Sequence, residues 1–129
     1  MILFLSACGG TFMTSTPSYS RYTASAIIKE FKEQGLRVDG VRDMAQADFG
    51  PDTPAFKEAK GFYCGATGGT TATLFTFDSP ATLGAMAEYI KKKYATKHRQ
   101  VAHQNTLLVF WLPSKDDTIA YDVALLALR

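Results

Sequence analysis

Residues 70–80 read Thr-Thr-Ala-Thr-Leu-Phe-Thr-Phe-Asp-Ser-Pro, and the pattern changes abruptly near the end. Thr70 to Phe77 is β-branched and aromatic, a composition typical of a strand. The capping serine and the proline of Asp78-Ser79-Pro80 predict that a helix starts there. This helix is expected to run to about Tyr94, because five apolar residues share one face: Leu83, Met86, Ala87, Ile90 and Tyr94.

A β-hairpin is predicted on either side of this helix. In the first hairpin, a strand over Gly61–Ala66 precedes the Thr70 strand, and Gly68-Gly69 forms the turn, since glycines tolerate positive φ angles. In the second, strands over Lys97–His103 and Thr106–Leu112 flank a turn at Gln104-Asn105. Pro113 is expected to end the last strand.

Two further helices are predicted, one at each end of the domain. The first runs from about Ser20, its expected cap, to Gln34, with Gly35 as the C′ residue. Its buried face is expected to hold Ala24, Ile27, Ile28 and Phe31. The last helix is capped by Ser114, and its expected buried stripe consists of Ile119, Val123, Leu126 and Ala127.

The region between the first helix and the first hairpin combines a strand with a long irregular segment. Leu36–Arg42 alternates apolar and polar residues and predicts the strand. Residues 43–60 contain Gly50, Pro51 and Pro54, which interrupt regular structure, and Pro54–Ala59 is expected to form one helical turn.

The element order is therefore α-β-β-β-α-β-β-α. Strands joined by tight turns favour an α+β fold: an antiparallel sheet of about four or five strands with two or three helices packed on one face. With 129 residues, of which 47% are hydrophobic, the chain suffices for a single core. We expect one α+β domain over residues 18–129.

The charge balance excludes a nucleic-acid footprint, which needs a clustered basic stripe. The formal net charge is only +2, and the one basic cluster is Lys91-Lys92-Lys93, with Lys97 and Arg99 beyond it. We interpret this cluster as a solvated helix end, where cations are favoured; an anionic partner is the alternative.

The N-terminal segment resembles a lipidation signal. Leu5-Ser6-Ala7-Cys8 has the pattern of a bacterial lipobox, in which the cysteine is diacylated and anchors the protein in a membrane. The following Ser/Thr/Pro-rich residues suggest a flexible tether, so residues 1–17 are interpreted as signal remnant and tether. The apolar run before Cys8 has only about five residues and no basic residue, and a short buried strand is the alternative.

The residues capable of chemistry do not form a convergent set. His98 and His103 lie five apart on one predicted strand and therefore point to opposite faces. Cys64 lies in the middle of a predicted strand, where buried structural thiols are common. We therefore expect no catalytic residues, no metal site and no cofactor; a thiol enzyme that uses Cys64 is an alternative.

Aromatic side chains on the predicted strands are the candidate binding residues: Phe62, Phe75, Phe110 and Trp111. Phe110 and Trp111 alternate to opposite faces of their strand, and both faces are apolar. Either the last helix or residues 43–60 cover the second face, or an apolar patch is exposed to a partner.

The overall layout resembles a set of small uncharacterised bacterial lipoproteins. The resemblance covers about residues 1–129 and consists of the lipobox, the helix ending at Gly35-Leu36-Arg37-Val38, the strand-to-helix step over residues 74–80 with Tyr89 beyond it, the Asn105 hairpin and the Ala/Leu-rich last helix. It implies a cell-envelope location and no specific activity.

These observations lead us to expect a lipid-anchored, non-enzymatic accessory or interaction protein of the bacterial cell membrane or outer membrane, with its domain outside the cytoplasm. Its partners would be the membrane, through Cys8, and an envelope protein. The alternative is a module that binds a small apolar ligand on the aromatic sheet face. An apolar cavity lined by Phe62, Phe75 and Trp111 would favour this alternative.

Overall fold

The computed structural model describes Tyr19, residues 21–112 and residues 115–129, without the side chains of residues 115–117. Cys8, Ser20, Pro113 and Ser114, each given a role above, lie outside the described residues. The elements are helices α1 (Ala24–Glu33), α2 (Pro80–Tyr94) and α3 (Lys115–Leu126) and strands β1 (Asp39–Asp43), β2 (Glu58–Cys64), β3 (Thr70–Thr76), β4 (His98–His103) and β5 (Thr106–Trp111).

The strands form one antiparallel sheet in the order β1-β2-β3-β5-β4, which confirms the predicted α+β fold and its element order. Strand β3 is the central strand, with Thr73 opposite Gly61 on one side and Val109 on the other. Strands β3 and β4 run in the same direction with β5 between them, and α2 makes the connection.

Helices pack on both faces of the sheet, so the expectation that they occupy one face is wrong. Helices α1 and α3 bury the face that carries Leu74 and Phe110. Helix α2 buries the opposite face, which carries Phe75 and Val109. The physical reason is that β3 and β5 present apolar side chains on both sides, and each side must be removed from water.

Helix α2 forms as its capping and spacing predict, whereas α1 starts later than predicted, and its N-cap is Thr23 and not the predicted Ser20. In α2, the Ser79 hydroxyl accepts a hydrogen bond from the Thr82 amide at 3.2 Å, and Pro80 occupies the first turn. In α1, Thr23 is the N-cap, and the chain leaves the helix through Gly35 at a φ of +81°. The predicted face of α1 is fully buried and consists of Ala24, Ile27, Ile28 and Phe31.

Helix α3 presents a different face to the core from the one predicted. Ile119, Val123 and Leu126 are 48%, 63% and 52% exposed, and Ala127 is exposed too. The buried positions are instead Thr118, Tyr121, Ala124 and Leu125.

Polar partners explain the orientation of α3. The Tyr121 hydroxyl donates a hydrogen bond to the Arg37 carbonyl at 2.6 Å and accepts one from the Gly65 amide at 3.0 Å. The Thr118 hydroxyl accepts a hydrogen bond from the Arg99 guanidinium at 2.6 Å. Because these groups are buried, turning the apolar stripe inward would move them away from partners whose loss is costly.

The connections before β3 differ from the prediction in three places. The first strand starts at Asp39 rather than Leu36. Strand β2 starts at Glu58, so no helical turn covers residues 54–59, and the Glu58 carboxylate accepts a hydrogen bond from the Thr76 hydroxyl across the ladder at 3.0 Å. The hairpin turn spans residues 65–69 rather than two residues, with positive φ angles at Gly65 and Gly68.

The hairpin between β4 and β5 turns at Gln104-Asn105, as predicted. Asn105 is fully buried, and its side-chain amide both accepts from the Tyr22 amide at 3.1 Å and donates to the Tyr22 carbonyl at 2.9 Å. The Asn105 carbonyl also accepts a hydrogen bond from the Phe77 amide at 2.9 Å. This turn therefore fixes where the chain leads into α1.

The orientation of α3 can be tested on two adjacent leucines. Leu125 is fully buried, whereas Leu126 is 52% exposed. We expect Leu125→Ala to lower the free energy of unfolding by about 2–5 kcal/mol, and Leu126→Ala to change it by less than about 0.5 kcal/mol. Urea denaturation of both variants measures the difference. Equal losses, or a larger loss for Leu126→Ala, would show that α3 is turned the other way.

Candidate ligand-binding groove

Helix α2 and the segment after β1 cover one face of the sheet and leave a groove between them with a volume of about 380 Å³. It lies where the segment after β1 and the C-terminal end of α2 approach each other across the sheet. We call it the Trp111 groove. It is lined by Arg42, Met44, Phe49, Thr71, Ala72, Thr73, Tyr94, Lys97, Trp111 and Leu112.

Trp111 is held at the end of β5 by two contacts. Its indole Nε1 donates a hydrogen bond to the Thr73 hydroxyl at 3.0 Å, and its ring meets the Tyr94 ring edge-on, with centroids 4.8 Å apart. The indole is half-buried, so part of it faces the groove. A fixed aromatic side chain with a satisfied N–H is a suitable surface for an apolar ligand.

Gly61 allows one wall of the groove to approach the sheet. A Cβ atom at this position would lie 2.7 Å from the Met44 sulfur and 3.1 Å from the Arg42 Cζ atom. Met44 is further fixed through its amide, which donates to the Ala59 carbonyl at 2.9 Å. Glycine in a strand interior often marks such a close approach.

Phe49 forms a second part of the wall through an aromatic cluster. Its ring centroid lies 5.7 Å from that of Phe56 and 5.3 Å from that of Phe75 on β3. A short 3₁₀ turn over Gln46–Asp48 precedes it. The irregular segment therefore serves as the second cover of the sheet, one of the alternatives that the sequence left open.

The groove is bordered by positive charge. Arg42 and Lys97 line it, and none of its lining residues is acidic. The last turn of α2 adds Lys91, Lys92 and Lys93 close by. The Tyr89 hydroxyl accepts a hydrogen bond from the Lys93 ammonium at 2.9 Å, which raises the pKa of that lysine and favours its charged form.

The four aromatic candidates from the sequence are divided between the two sheet faces. Phe62 and Phe110 are buried against α1 and α3, whereas Phe75 and Trp111 lie on the α2 side. Among the four, Trp111 alone lines the groove. The joint cavity of Phe62, Phe75 and Trp111 considered above does not form, because Phe62 lies on the other face of the sheet and Phe75 is buried outside the groove lining.

The cysteine and the two histidines are kept apart. Cys64 is fully buried in the cluster beneath α1 and α3. His98 lies near it along the strand direction but on the opposite face, and β2 and β4 are separated by two strands, roughly 14 Å. His103 lies at the other end of the sheet, where its Nε2 atom is 2.7 Å from the Leu128 carbonyl oxygen.

Sequence reasoning identified Trp111 but missed Arg42, Met44, Phe49 and Lys97. Arg42, Met44 and Phe49 come from one stretch of the chain and Lys97 from another, and only the tertiary fold brings both stretches to Trp111. The one local signal of this site was Gly61. A glycine within a strand indicates that other side chains approach the backbone closely, here those of Met44 and Arg42.

Among the described residues, no cluster of three or more His, Cys, Asp or Glu side chains could hold a metal ion. No helix in the described part of the chain is long and apolar enough to cross a bilayer. Comparison of the chain with known protein families, curated proteins and solved structures finds no match.

The buried position of Cys64 predicts a structural role that can be measured. Cys64→Ala should lower the free energy of unfolding by about 1–2 kcal/mol, as small core truncations do. In a Cys8→Ser background, native protein should react with a thiol reagent far more slowly than denatured protein, since access to the thiol requires opening. Fast modification of the native protein would contradict this role.

Proposed function

We propose that this chain is a lipid-anchored, non-enzymatic binding domain of the bacterial cell envelope and that it holds a small, mainly apolar ligand in the Trp111 groove. The observation that carries the proposal is a groove of about 380 Å³ with a fixed, half-buried tryptophan beside Met44 and Phe49. Ligand pockets of about 300–1,000 Å³ with aromatic linings and a few polar groups are typical binding sites.

The sides of the groove are fixed, which favours binding. Thr73 is only 2% exposed, and its hydroxyl accepts from Trp111 and lies 3.9 Å from the Met44 sulfur. The groove is therefore held by contacts within the sheet and does not have to be assembled by the ligand. Such preorganisation lowers the entropic cost of binding.

The candidate chemical residues support binding rather than catalysis. Cys64 is fully buried among apolar side chains, and both histidines make contacts within the fold. A nucleophile needs a base within hydrogen-bond reach, and neither histidine is placed to serve Cys64.

A fluorescent probe tests the binding function directly. Trp111 is the single tryptophan of the chain, so energy transfer to N-phenyl-1-naphthylamine reports on a probe in the groove. Thr71→Phe should fill the groove and weaken binding about tenfold or more, since overpacking costs about 1–3 kcal/mol and 1.4 kcal/mol is tenfold in affinity. Phenylalanine suits a strand, so the fold should persist.

The matched control is Thr67→Phe, which places the same side chain on the exposed loop between β2 and β3. It should bind the probe as well as the wild type. If the wild type shows no saturable energy transfer, or if Thr71→Phe binds as strongly as Thr67→Phe, the groove is not a ligand site.

The envelope location rests on Cys8 and on the resemblance to small bacterial lipoproteins. Expressed with a complete signal peptide in a bacterial host, the protein should incorporate labelled palmitate and partition into detergent, and Cys8→Ser should abolish both. Cys64→Ser controls for unspecific thiol acylation and should remain labelled. A wild-type protein that stays unlabelled would contradict the anchor without bearing on the groove.

A further inference from the structure

We propose that the ligand of the Trp111 groove is an amphiphile with one anionic head group. The cations at the groove border, Arg42 on one side and Lys97 on the other, attract this head group, while the apolar body lies against Trp111 and Met44. This inference rests on the proposed function and names the chemical class of its ligand. The observation behind it is that two cationic side chains border a mainly apolar groove, and none of the lining residues is acidic.

Arg42 reaches the groove from the edge strand β1. It is opposite Gly61 in the ladder, and its Cζ atom would lie 3.1 Å from a Cβ at that position, so the guanidinium group extends over β2. The same group lies 5.9 Å from the centre of the Tyr63 ring. The guanidinium is therefore directed across the sheet, toward the groove that it lines.

Lys97 borders the groove from the opposite edge of the sheet. Its amide donates to the Tyr94 carbonyl at 2.8 Å, and its carbonyl accepts from the Leu112 amide at 3.1 Å. These bonds connect the end of α2 to the end of β5 and fix the Lys97 backbone beside Trp111. The side chain itself is exposed and free to turn toward a ligand.

The described ion pairs do not neutralise these two cations. The four pairs in the described part of the chain are Arg37–Asp39, Lys57–Asp78, Lys60–Asp43 and Arg99–Asp122. The acids closest in sequence to Arg42 are engaged elsewhere. Asp43 binds Lys60, Asp39 binds Arg37, and Asp48 accepts a hydrogen bond from the Ala45 amide at 2.7 Å.

The C-terminal end of α2 contributes partial negative charge, equivalent to about half an elementary charge. Lys91, Lys92 and Lys93 in the same turn exceed that charge. Positive side chains thus outnumber negative ones in this turn, which favours an anion nearby, while the apolar part of the groove lining favours an apolar body.

A matched pair of probes separates charge from apolar contact. 8-Anilino-1-naphthalenesulfonate and N-phenyl-1-naphthylamine share the same ring system, and only the first carries a sulfonate. We expect the anionic probe to bind the full-length protein about tenfold more tightly at low salt, and the advantage to shrink at 0.5 M NaCl, because exposed charges are screened.

Arg42→Gln and Lys97→Gln should each weaken the anionic probe about three- to fivefold, the range expected of exposed charge pairs. The affinity for the neutral probe should fall less than that for the anionic probe, because the neutral probe lacks the sulfonate. Matched controls are Arg21→Gln and Lys29→Gln, which remove the same charges at exposed positions outside the groove lining and away from the end of α2 and should leave both probes unaffected. Thermal unfolding checks that every variant is folded.

Decanoate and decan-1-ol then test whether a carboxylate head group on an alkyl chain is preferred over an uncharged one. Decanoate should displace the anionic probe from the wild type, and an equal concentration of decan-1-ol should displace it far less. Vesicles of phosphatidylglycerol distinguish a free amphiphile from a lipid surface, and Arg42→Gln should not alter vesicle binding.

The outcomes are separable from those of the proposed function. If both probes bind with equal affinity and the two glutamine variants change neither, the groove binds apolar ligands and the anionic head group is wrong. If the glutamine variants weaken binding to vesicles but not to the soluble anionic probe, the cations serve a membrane surface, and the proposal is overturned. If neither probe binds, the proposed function itself fails.

Discussion

The structure depends on a sheet with two apolar faces. Strands β3 and β5 alternate apolar side chains to both sides, with Leu74 and Leu108 beneath α1 and α3, and Phe75 and Val109 beneath α2. A sheet of this kind is stable only when both faces are removed from water. Two of the three helices cover one face, so the other has to be completed by α2 together with the irregular segment that carries Met44, Phe49 and Phe56. The Trp111 groove lies where these two covers come closest without meeting.

The two sides of the sheet are held by different interactions. On the α1 and α3 side, directional hydrogen bonds connect distant segments: Tyr121 joins Arg37 to Gly65, and Asn105 binds Tyr22 through both its amide atoms. On the α2 side, aromatic and aliphatic packing dominates. Hydrogen bonds fix geometry, whereas apolar packing is non-directional. Most of the groove lining is therefore held by packing, and the hydrogen bond from Trp111 to Thr73 adds a directional contact that fixes the indole.

The features of the fold that depend on residues within one segment could be predicted from the sequence, and those that depend on distant partners could not. Helix α2 formed as expected because Ser79-Pro80 and a regular apolar face act within one segment, and the central strand followed from its own composition. Helix α3 was placed with the wrong face inward, because Thr118 and Tyr121 are buried by partners more than a dozen residues away, which hydrophobic periodicity does not register. The groove was found only in part for the same reason: Trp111 is conspicuous alone, but Arg42 and Lys97 become neighbours of it only through the strand order.

The bond between Asn105 and Tyr22 also sets a direction. It fixes the start of the domain at the turn between β4 and β5, whereas Trp111 and Lys97 lie at the far end of the same strands. Six residues of extended chain span about 20 Å, so the turn and the groove lie about that far apart along these strands. An attachment that precedes Tyr22 would therefore hold the domain at the end opposite to the groove. A ligand would then reach the groove on the side of the domain that faces away from that attachment.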